Sequence, residues 1–435
     1  MKHVVIVGGG FAGVNCARKL GENPDIRVTL LDRNNYHQFQ PLLYQVATAE
    51  LGVSDVAFML RKILDRHPNV DVKMVEATAI DPVTRTVRTV QGETYQGDFL
   101  VLAAGSQPNF FGTPGADKHA FPLYSLKQAE VLRSRILAVF ESADRDPGLI
   151  EKGALNFVIV GSGPTGTEMA GALTDMLNGA LPPEYQDLAI KQAKIYLVDH
   201  GHAVLAAFSK ESQAYAATQL QERGVQLLLG VGVSEVGPGH VSLSDGRKIL
   251  THTTVWAGGL KAASLSDNVG LPRGRGGRIA VQPDFSVPGF AGVYALGDFA
   301  NIVDFDGQAL PQLASVAQQC GKWCAENISA EIAGQPRKPF QYFDKGIMAM
   351  IGRNAAVAEV GKKRHELEGV IGFAAWLGVH ASLLDTNQAR IEAFMEWAWT
   401  YFGRTRGSQV LDRTSAARIN WDSDDAGPST PTASS

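Results

Sequence analysis

Cysteine is scarce in this sequence: Cys16, Cys320 and Cys324 are the three in 435 residues. They form neither a C-x-x-C nor a C-x-x-x-x-C pair, so a redox-active disulfide is not expected, and three cysteines make no secreted disulfide framework. Cys320 and Cys324 would lie one turn apart on a helix, where the simplest reading is small buried core residues. Excess charge of one sign is also missing. Forty Lys and Arg stand against 44 Asp and Glu, and the net charge of −4 argues against nucleic acid as a partner. No apolar run reaches the about 20 residues that span a bilayer. The longest, from Val370 to Leu384, has fifteen and contains His380. A strand beginning at about His3 leaves no room for a signal peptide, which predicts a protein that stays where it is made. From Thr414 onward Ser, Asp, Pro and Thr dominate without apolar periodicity, so residues 411–435 are expected to form a disordered tail.

What is present is glycine, in two informative places. At 435 residues and 45% hydrophobic, the chain is long enough for two or three domains with a sizeable core. Gly8-Gly9-Gly10-Phe11-Ala12-Gly13 and Gly161-Ser162-Gly163-Pro164-Thr165-Gly166 both match G-x-G-x-x-G, 153 residues apart. Each follows a β-branched run, Val4 to Val7 and Phe157 to Val160. A strand running into a glycine turn and then a helix aims free backbone N–H groups and a helix N-terminus at a pyrophosphate. One copy is a weak signal. Two in the same context suggest two dinucleotides bound by one chain, the arrangement that passes electrons between them.

The acids that follow sharpen this. Val28 to Leu31 reads as a second strand ending at Asp32, nineteen residues past Gly13 and near the expected spacing. A carboxylate there accepts hydrogen bonds from a ribose diol. Lys194 to Val198 ends at Asp199, thirty-three residues past Gly166, and the excess fits an insertion around Asn178 to Gln192. His200 and Gly201 follow, with no Arg placed to meet a 2′-phosphate, which favours NADH over NADPH. The competing reading is a strand-end acid capping a loop.

Phe99 to Leu102 reads as a buried strand before the Ala103-Ala104-Gly105 turn, and Val255-Trp256-Ala257-Gly258-Gly259 repeats that unit. Gly292 to Asp298 then returns the chain to the first nucleotide domain. The expected fold is α/β: two Rossmann-like dinucleotide-binding domains, the second inserted in the first, and a C-terminal membrane-associating region. The expected boundaries are 1–112 and 271–340 for the first domain, 113–270 for the second, 341–410 for the C-terminal region and 411–435 for the tail.

These pieces resemble the type II NADH:quinone oxidoreductases, flavoproteins of the pyridine nucleotide-disulphide oxidoreductase superfamily, over roughly residues 1 to 410. The resemblance is carried by Tyr36 to Thr48, Gly163 to Glu168, Thr254 to Gly259, Tyr294 to Asp298 and Asp344 to Ala349. It implies FAD on Gly8, Gly9, Gly10, Phe11, Ala12 and Gly13, with Asp32 and Arg33 near the adenosine and Ala77, Ala104 and Gly105 along the cofactor. Asp298 would meet the ribityl or pyrophosphate part, and Ala314, Ser315 and Lys345 the isoalloxazine end. NADH would lie on Gly161, Gly163, Gly166, Asp199, Ala257 and Gly258. Glu168 matches the family's site carboxylate, whose plainer reading is a charge favoured near a helix N-terminus. Gln45, Ser315, Gln319 and Lys345 would face a membrane quinone, ubiquinone or menaquinone; a surface pair with Asp344 is the plainer reading of Lys345.

The chain departs from the family in two places. The usual A-Q-x-x-x-Q is here Ala314-Ser315-Val316-Ala317-Gln318-Gln319, so Ser315 replaces the first Gln and lacks its amide. The region before His380 is shorter than the family's pattern, and the usual Arg-Asn after Leu384 is absent.

Ala389 to Phe402 reads as an amphipathic helix with Ile391, Phe394, Met395, Ala398 and Phe402 on one face. Glu392, Glu396 and Thr400 take the other face, Trp397, Trp399 and Tyr401 the flanks, and Arg404 and Arg406 follow. That describes a helix lying in a membrane interface; packing on the protein's own core or in a homodimer is the alternative. The functional expectation is oxidation of NADH through FAD with two-electron transfer to quinone and no proton pumping, on the cytoplasmic face of the cell membrane. The alternatives are an NADH-dependent flavoprotein reductase with a soluble acceptor, a sulfide:quinone oxidoreductase, which would need redox cysteines, and a flavin-binding sensor.

Overall fold

The computed structural model describes residues 1–304, 307–361, 363–384, 387–403, 406–412, 418–419 and 421, without the side chains of 268, 387 and 388. Arg404 and most of the expected tail lie outside the described residues. The chain divides into two compact units. The first comprises Met1–Gln38, Ala57–Gln107 and Leu260–Asp344; the second comprises Phe39–Val56, Pro108–Gly259 and the chain from Lys345. The long stretch from Pro108 to Gly259 is therefore inserted between segments of the first unit, as the return at Gly292 predicts.

The first unit is built on a parallel sheet with strand order Val293–Ala295, Phe99–Leu102, Lys2–Val7, Ile26–Asp32, Val70–Met74. Val4, Val5 and Ile6 are fully buried, because the central strand of a parallel sheet is covered on both faces. Helix Phe11–Gly21 leaves the first glycine turn and packs on helix Ala314–Ile332. Their backbones approach closely: a Cβ on Gly321 would stand 2.2 Å from the Ala12 carbonyl oxygen. Cys16, Cys320 and Cys324 fill this contact as free, fully buried thiols, the small core residues the sequence suggests.

The second unit repeats the plan. Its parallel sheet runs Ala120–Pro122, Thr253–Trp256, Asn156–Val160, Lys194–Asp199, Val225–Leu229. Helix Leu126–Arg145 begins at a capping box in which Ser125 and Gln128 exchange side-chain and backbone hydrogen bonds. Helix Pro164–Asp175 packs on strand Gly346–Gly352, where a Cβ on Gly171 would meet the Ile351 carbonyl oxygen at 2.1 Å. Strands Gly346–Gly352, Ala355–Val360 and His365–Glu368 form an antiparallel meander, followed by helices Gly369–Leu383 and Asn387–Gly403. Among the described residues no helix is long and apolar enough to cross a membrane.

One expectation for the last helix is corrected. Trp397 is not a flanking interface residue: it is buried beside Ala389 and Ala393, and its indole Nε1 donates to Gln45 Oε1 at 2.9 Å. The indole carries a polar N–H that needs a partner once its ring is packed, and Gln45 supplies it. Ile391, Phe394, Met395 and Phe402 remain exposed on the face the periodicity marks as apolar.

Candidate functional site: two matched dinucleotide cradles and a buried carboxyl

The two glycine fingerprints are superposable in their bonding. Gly8 N–H donates to Leu31 O at 2.8 Å, and Gly161 N–H donates to Val198 O at 2.8 Å. Gly8 and Gly161 have φ of +106° and +99°, and a Cβ there would stand 2.2 Å from Ala103 O and 2.6 Å from Ala257 O respectively. Gly13 and Gly166 leave 1.8 Å between a hypothetical Cβ and the carbonyl oxygens of Gly8 and Gly161. These four positions admit glycine alone. The middle glycines, Gly10 and Gly163, differ: an added Cβ would meet nothing within 4 Å. Each faces open space just ahead of a helix N-terminus, which is where a pyrophosphate belongs. The observed cradle therefore fits one dinucleotide on Gly8 to Gly13 and another on Gly161 to Gly166.

Asp32 and Asp199 close the two strands in the same way. Oδ2 of Asp32 accepts the Gly9 N–H at 2.6 Å and Oδ1 accepts the Asn34 N–H at 2.7 Å. In the second unit, Ser162 N–H and Gly201 N–H take those places at 2.6 and 2.7 Å. The electrostatics diverge. Burial raises the Asp32 carboxyl above its ordinary range despite its two backbone donors. Burial also opposes ionisation of Asp199, but there the Ser162 and Gly201 N–H groups and the Ser162 hydroxyl, at 2.9 Å, outweigh it and hold the carboxyl below that range. Asp199 is thus a firmly ionised acceptor beside the second cradle. Its pair of neighbours, His200 and Gly201, brings no guanidinium.

The first unit also carries the other residues expected to line its cofactor. Asp298 lies in a single 3-10 turn, Gly297–Phe299, where Oδ2 accepts the Ser106 hydroxyl at 2.9 Å. A Cβ on Gly297 would stand 3.1 Å from Ala12 Cβ, so this turn abuts the fingerprint helix. The Ala104-Gly105 turn follows strand Phe99–Leu102, whose register with Lys2–Val7 places it at the same sheet edge as Gly8. Ala77 begins strand Ala77–Asp81, and Arg33 is exposed next to Asp32. Ala314 and Ser315 start their helix as expected, and Ser315 Oγ shares a 3.0 Å hydrogen bond with the Tyr342 hydroxyl. Gln319 is already committed: its amide donates to Phe343 O and accepts Phe343 N–H, each at 3.0 Å. In the second unit, Lys345 precedes strand Gly346–Gly352 and its side chain is exposed.

Glu168 is on the second fingerprint helix and buried. Its Oε1 accepts the Met350 N–H at 3.2 Å and the Trp376 indole N–H at 3.3 Å. Burial raises its pKa to about 8, against the pull of those two donors. A carboxyl favoured only by the helix macrodipole would be shifted the other way. Trp376 stacks on His380 with centroids 3.9 Å apart, and burial lowers the pKa of that imidazole to about 4. A proton-holding carboxyl is thereby set against a neutral His–Trp stack. Sequence reading identified Glu168 and missed Trp376, which is one more aromatic in an apolar run; the polar side of its ring becomes visible only through its partner.

The profile of the pyridine nucleotide-disulphide oxidoreductase family matches residues 2–321. The type II NADH:quinone oxidoreductase Ndh of Mycobacterium tuberculosis is 35% identical over 432 residues, covering 95% of this chain and 91% of that protein. A type II NADH:quinone oxidoreductase of Haemophilus influenzae is 28% identical, covering 83% and 88%. In fold, the chain is similar to NDH2 from Plasmodium falciparum, solved in complex with NADH, with a TM-score of 0.85 at 19% identity, covering 93% of this chain and 99% of that one. The sulfide:quinone oxidoreductase of Aquifex aeolicus has the same architecture at a TM-score of 0.70 and 18% identity, covering 93% and 96%.

Proposed function

We infer, for a chain that belongs to the pyridine nucleotide-disulphide oxidoreductase family and within it to the type II NADH:quinone oxidoreductases, that it oxidises NADH through FAD and passes two electrons to a membrane quinone without pumping protons. The carrying observation is the pair of matched cradles, each with an open middle glycine and a strand-end carboxylate. FAD on the first cradle supplies a carrier that accepts a hydride equivalent and releases two electrons. The chain's own residues do the rest. Gly8 to Gly13 and Asp298 hold the cofactor, Gly161 to Gly166 and Asp199 hold and select NADH, and Glu168 holds or releases a proton at Oε. The sulfide reading shares the fold but needs redox cysteines, and all three thiols are locked between two helices of the first unit.

The domain boundaries that go with this function are 1–112 and 271–340 for FAD, 113–270 for NADH and 341–410 for the quinone- and membrane-associating region. Attachment is peripheral, on the cytoplasmic face of the cell membrane, through the helix Asn387–Gly403. What supports this is its face: Ile391, Phe394 and Phe402 are 65%, 59% and 82% exposed. Burying such side chains in lipid is worth roughly 1.5–3 kcal/mol each. A second copy of the chain is the competing occupant of that face.

Steady-state oxidation of NADH by the purified flavoprotein, with and without a short-chain ubiquinone or menaquinone analogue, tests the reading. Quinone-stimulated NADH loss, weak with NADPH and absent with sulfide, is the expected outcome. Flavin bleaching by NADH without any quinone turnover would defeat it.

A further inference from the structure

Quinone reduction sets a proton requirement that Glu168 alone does not meet. NADH delivers a hydride, which is two electrons and one proton; quinone takes up two electrons and two protons. One proton per turnover therefore comes from water. Glu168 is buried, so that proton needs an entry.

The second unit contains a cavity of about 500 Å³. Phe373, Leu377 and Trp397, from the two C-terminal helices, give it an apolar wall, while Tyr44, Glu50, Asp175 and Arg406 give it a polar one. About 10–15 Å³ of water-accessible space is enough to hold one water, so it has room for many. Arg406 is buried and donates to the carbonyl oxygens of Thr48 and Ala172. Its charge acts on both Glu50 and Asp175. Glu50 accepts no side-chain hydrogen bond from any described residue, whereas Asp175 accepts the Arg353 N–H at 2.8 Å and also feels Arg223 and Arg353.

The helix Pro164–Asp175 connects this wall to the site. Glu168, Ala172 and Asp175 follow at i, i+4 and i+7, so they share one face, and Asp175 lies about 10 Å along the axis from Glu168. Tyr44 faces that interval. It lines the cavity, its ring stands edge-on to Trp376 at 6.5 Å, and the charges of Glu168, Glu50 and Asp175 all act on its hydroxyl. Gln45 holds that hydroxyl at 3.3 Å.

We propose that Glu50 and Asp175 take up the proton from cavity water and pass it, through Tyr44 and further water, to Glu168 for delivery to the quinone. The inference rests on the NADH:quinone reading. No electrons move along this route. Glu168 gives one proton to a quinone oxygen and regains one from the Tyr44 side, and the cavity carboxyls regain theirs from water. Burial raises the proton affinity of Glu50 and Asp175, and the charge of Asp175 raises that of Glu50 further, while Arg406 opposes this and keeps them exchangeable.

Stopped-flow measurement on the FAD-loaded enzyme separates the half-reactions. Glu50→Gln, Asp175→Asn and the double variant should bleach the flavin with NADH at the wild-type rate. Reoxidation by a short-chain quinone should slow at least tenfold in the double variant, more steeply above pH 8 than in wild type, with recovery on adding formate or azide as small proton carriers. Reoxidation within twofold of wild type from pH 6 to 9 overturns the proposal. So does an equal loss in both half-reactions without chemical rescue, which marks a structural role. Wild-type enzyme that bleaches but never reduces quinone removes the parent reading and this proposal together.

Discussion

The indole Nε1 of Trp376 donates to Oε1 of Glu168 at 3.3 Å, tying helix Gly369–Leu383 to the carboxyl on the second fingerprint helix. Through that contact a residue from the C-terminal region sets the environment of an acid placed by the nucleotide-binding motif. Without its indole partner, Glu168 would lose one of the two donors that make its ionised form tolerable.

Glu168 should therefore leave a signature in stability against pH. Its folded pKa, about 8, is raised from 4.5, so its contribution to stability is fully present below pH 4.5 and is lost as pH rises through 8. At about 1.4 kcal/mol per unit the effect is on the order of a few kcal/mol. Thermal melts of Glu168→Gln should show a flatter alkaline limb than wild type. Equal slopes from pH 5 to 9 would show that the carboxyl is not held protonated.

His380 should act on the opposite limb. Its folded pKa is depressed to about 4 from 6.5, so it contributes stability above pH 6.5 that is lost as pH falls toward 4. His380→Phe keeps a ring stacked on Trp376 and removes the titration. Its melting temperature should fall less between pH 6.5 and 4 than that of wild type.

The fingerprint glycines should separate folding from binding. Gly10→Ala places its Cβ in open space and should give a soluble, folded protein that has lost its FAD absorbance. Gly163→Ala should stay yellow while its KM for NADH rises at least tenfold. Gly13→Ala drives a Cβ to 1.8 Å from the Gly8 carbonyl oxygen and should fail to fold. Retention of FAD by Gly10→Ala at wild-type affinity would contradict the placement of the pyrophosphate.

Asp199 should govern the choice of nucleotide. Asp199→Ser with His200→Arg removes a fixed negative charge and adds a cation next to it, and should shift the NADH-to-NADPH ratio of kcat/KM by roughly 100-fold, about 2.7 kcal/mol. An unchanged ratio would place the discrimination elsewhere.

The exposed face of the last helix should decide membrane binding. Ile391→Glu with Phe402→Glu should release the protein from anionic liposomes in flotation while leaving turnover with a short-chain quinone within twofold. If the double variant still floats but changes from dimer to monomer in sedimentation, the face belongs to a second copy.

Both Rossmann-like folds were legible in the sequence because local chemistry imposes them. Gly8, Gly13, Gly161 and Gly166 are required by contacts within one strand-turn-helix unit, and the buried β-branched runs ahead of them fix the central strands. Asp32 and Asp199 were legible for the same reason, each lying at the end of the next strand. The family resemblance set Gln319 toward a quinone; its clasp on Phe343 was not legible, because it depends on a chain segment that returns twenty-four residues later. Trp397 was assigned to the wrong surface because helical periodicity shows which residues share a face, not which face meets the core.

The sequence by itself determined that the chain carries two glycine cradles, each followed by a strand-end acid, since spacing along a short stretch is enough for that; NADH on the second cradle and Glu168 as its acid rest on the family resemblance. Only the tertiary structure decided the charge state of that acid, the opposite electrostatics of Asp32 and Asp199, and the gathering of Tyr44, Glu50, Asp175 and Arg406 around one cavity. Those properties come from desolvation and from partners far along the chain, Ser162 at 37 residues from Asp199 and Thr48 at 358 from Arg406, and burial by distant segments is not encoded in any local pattern.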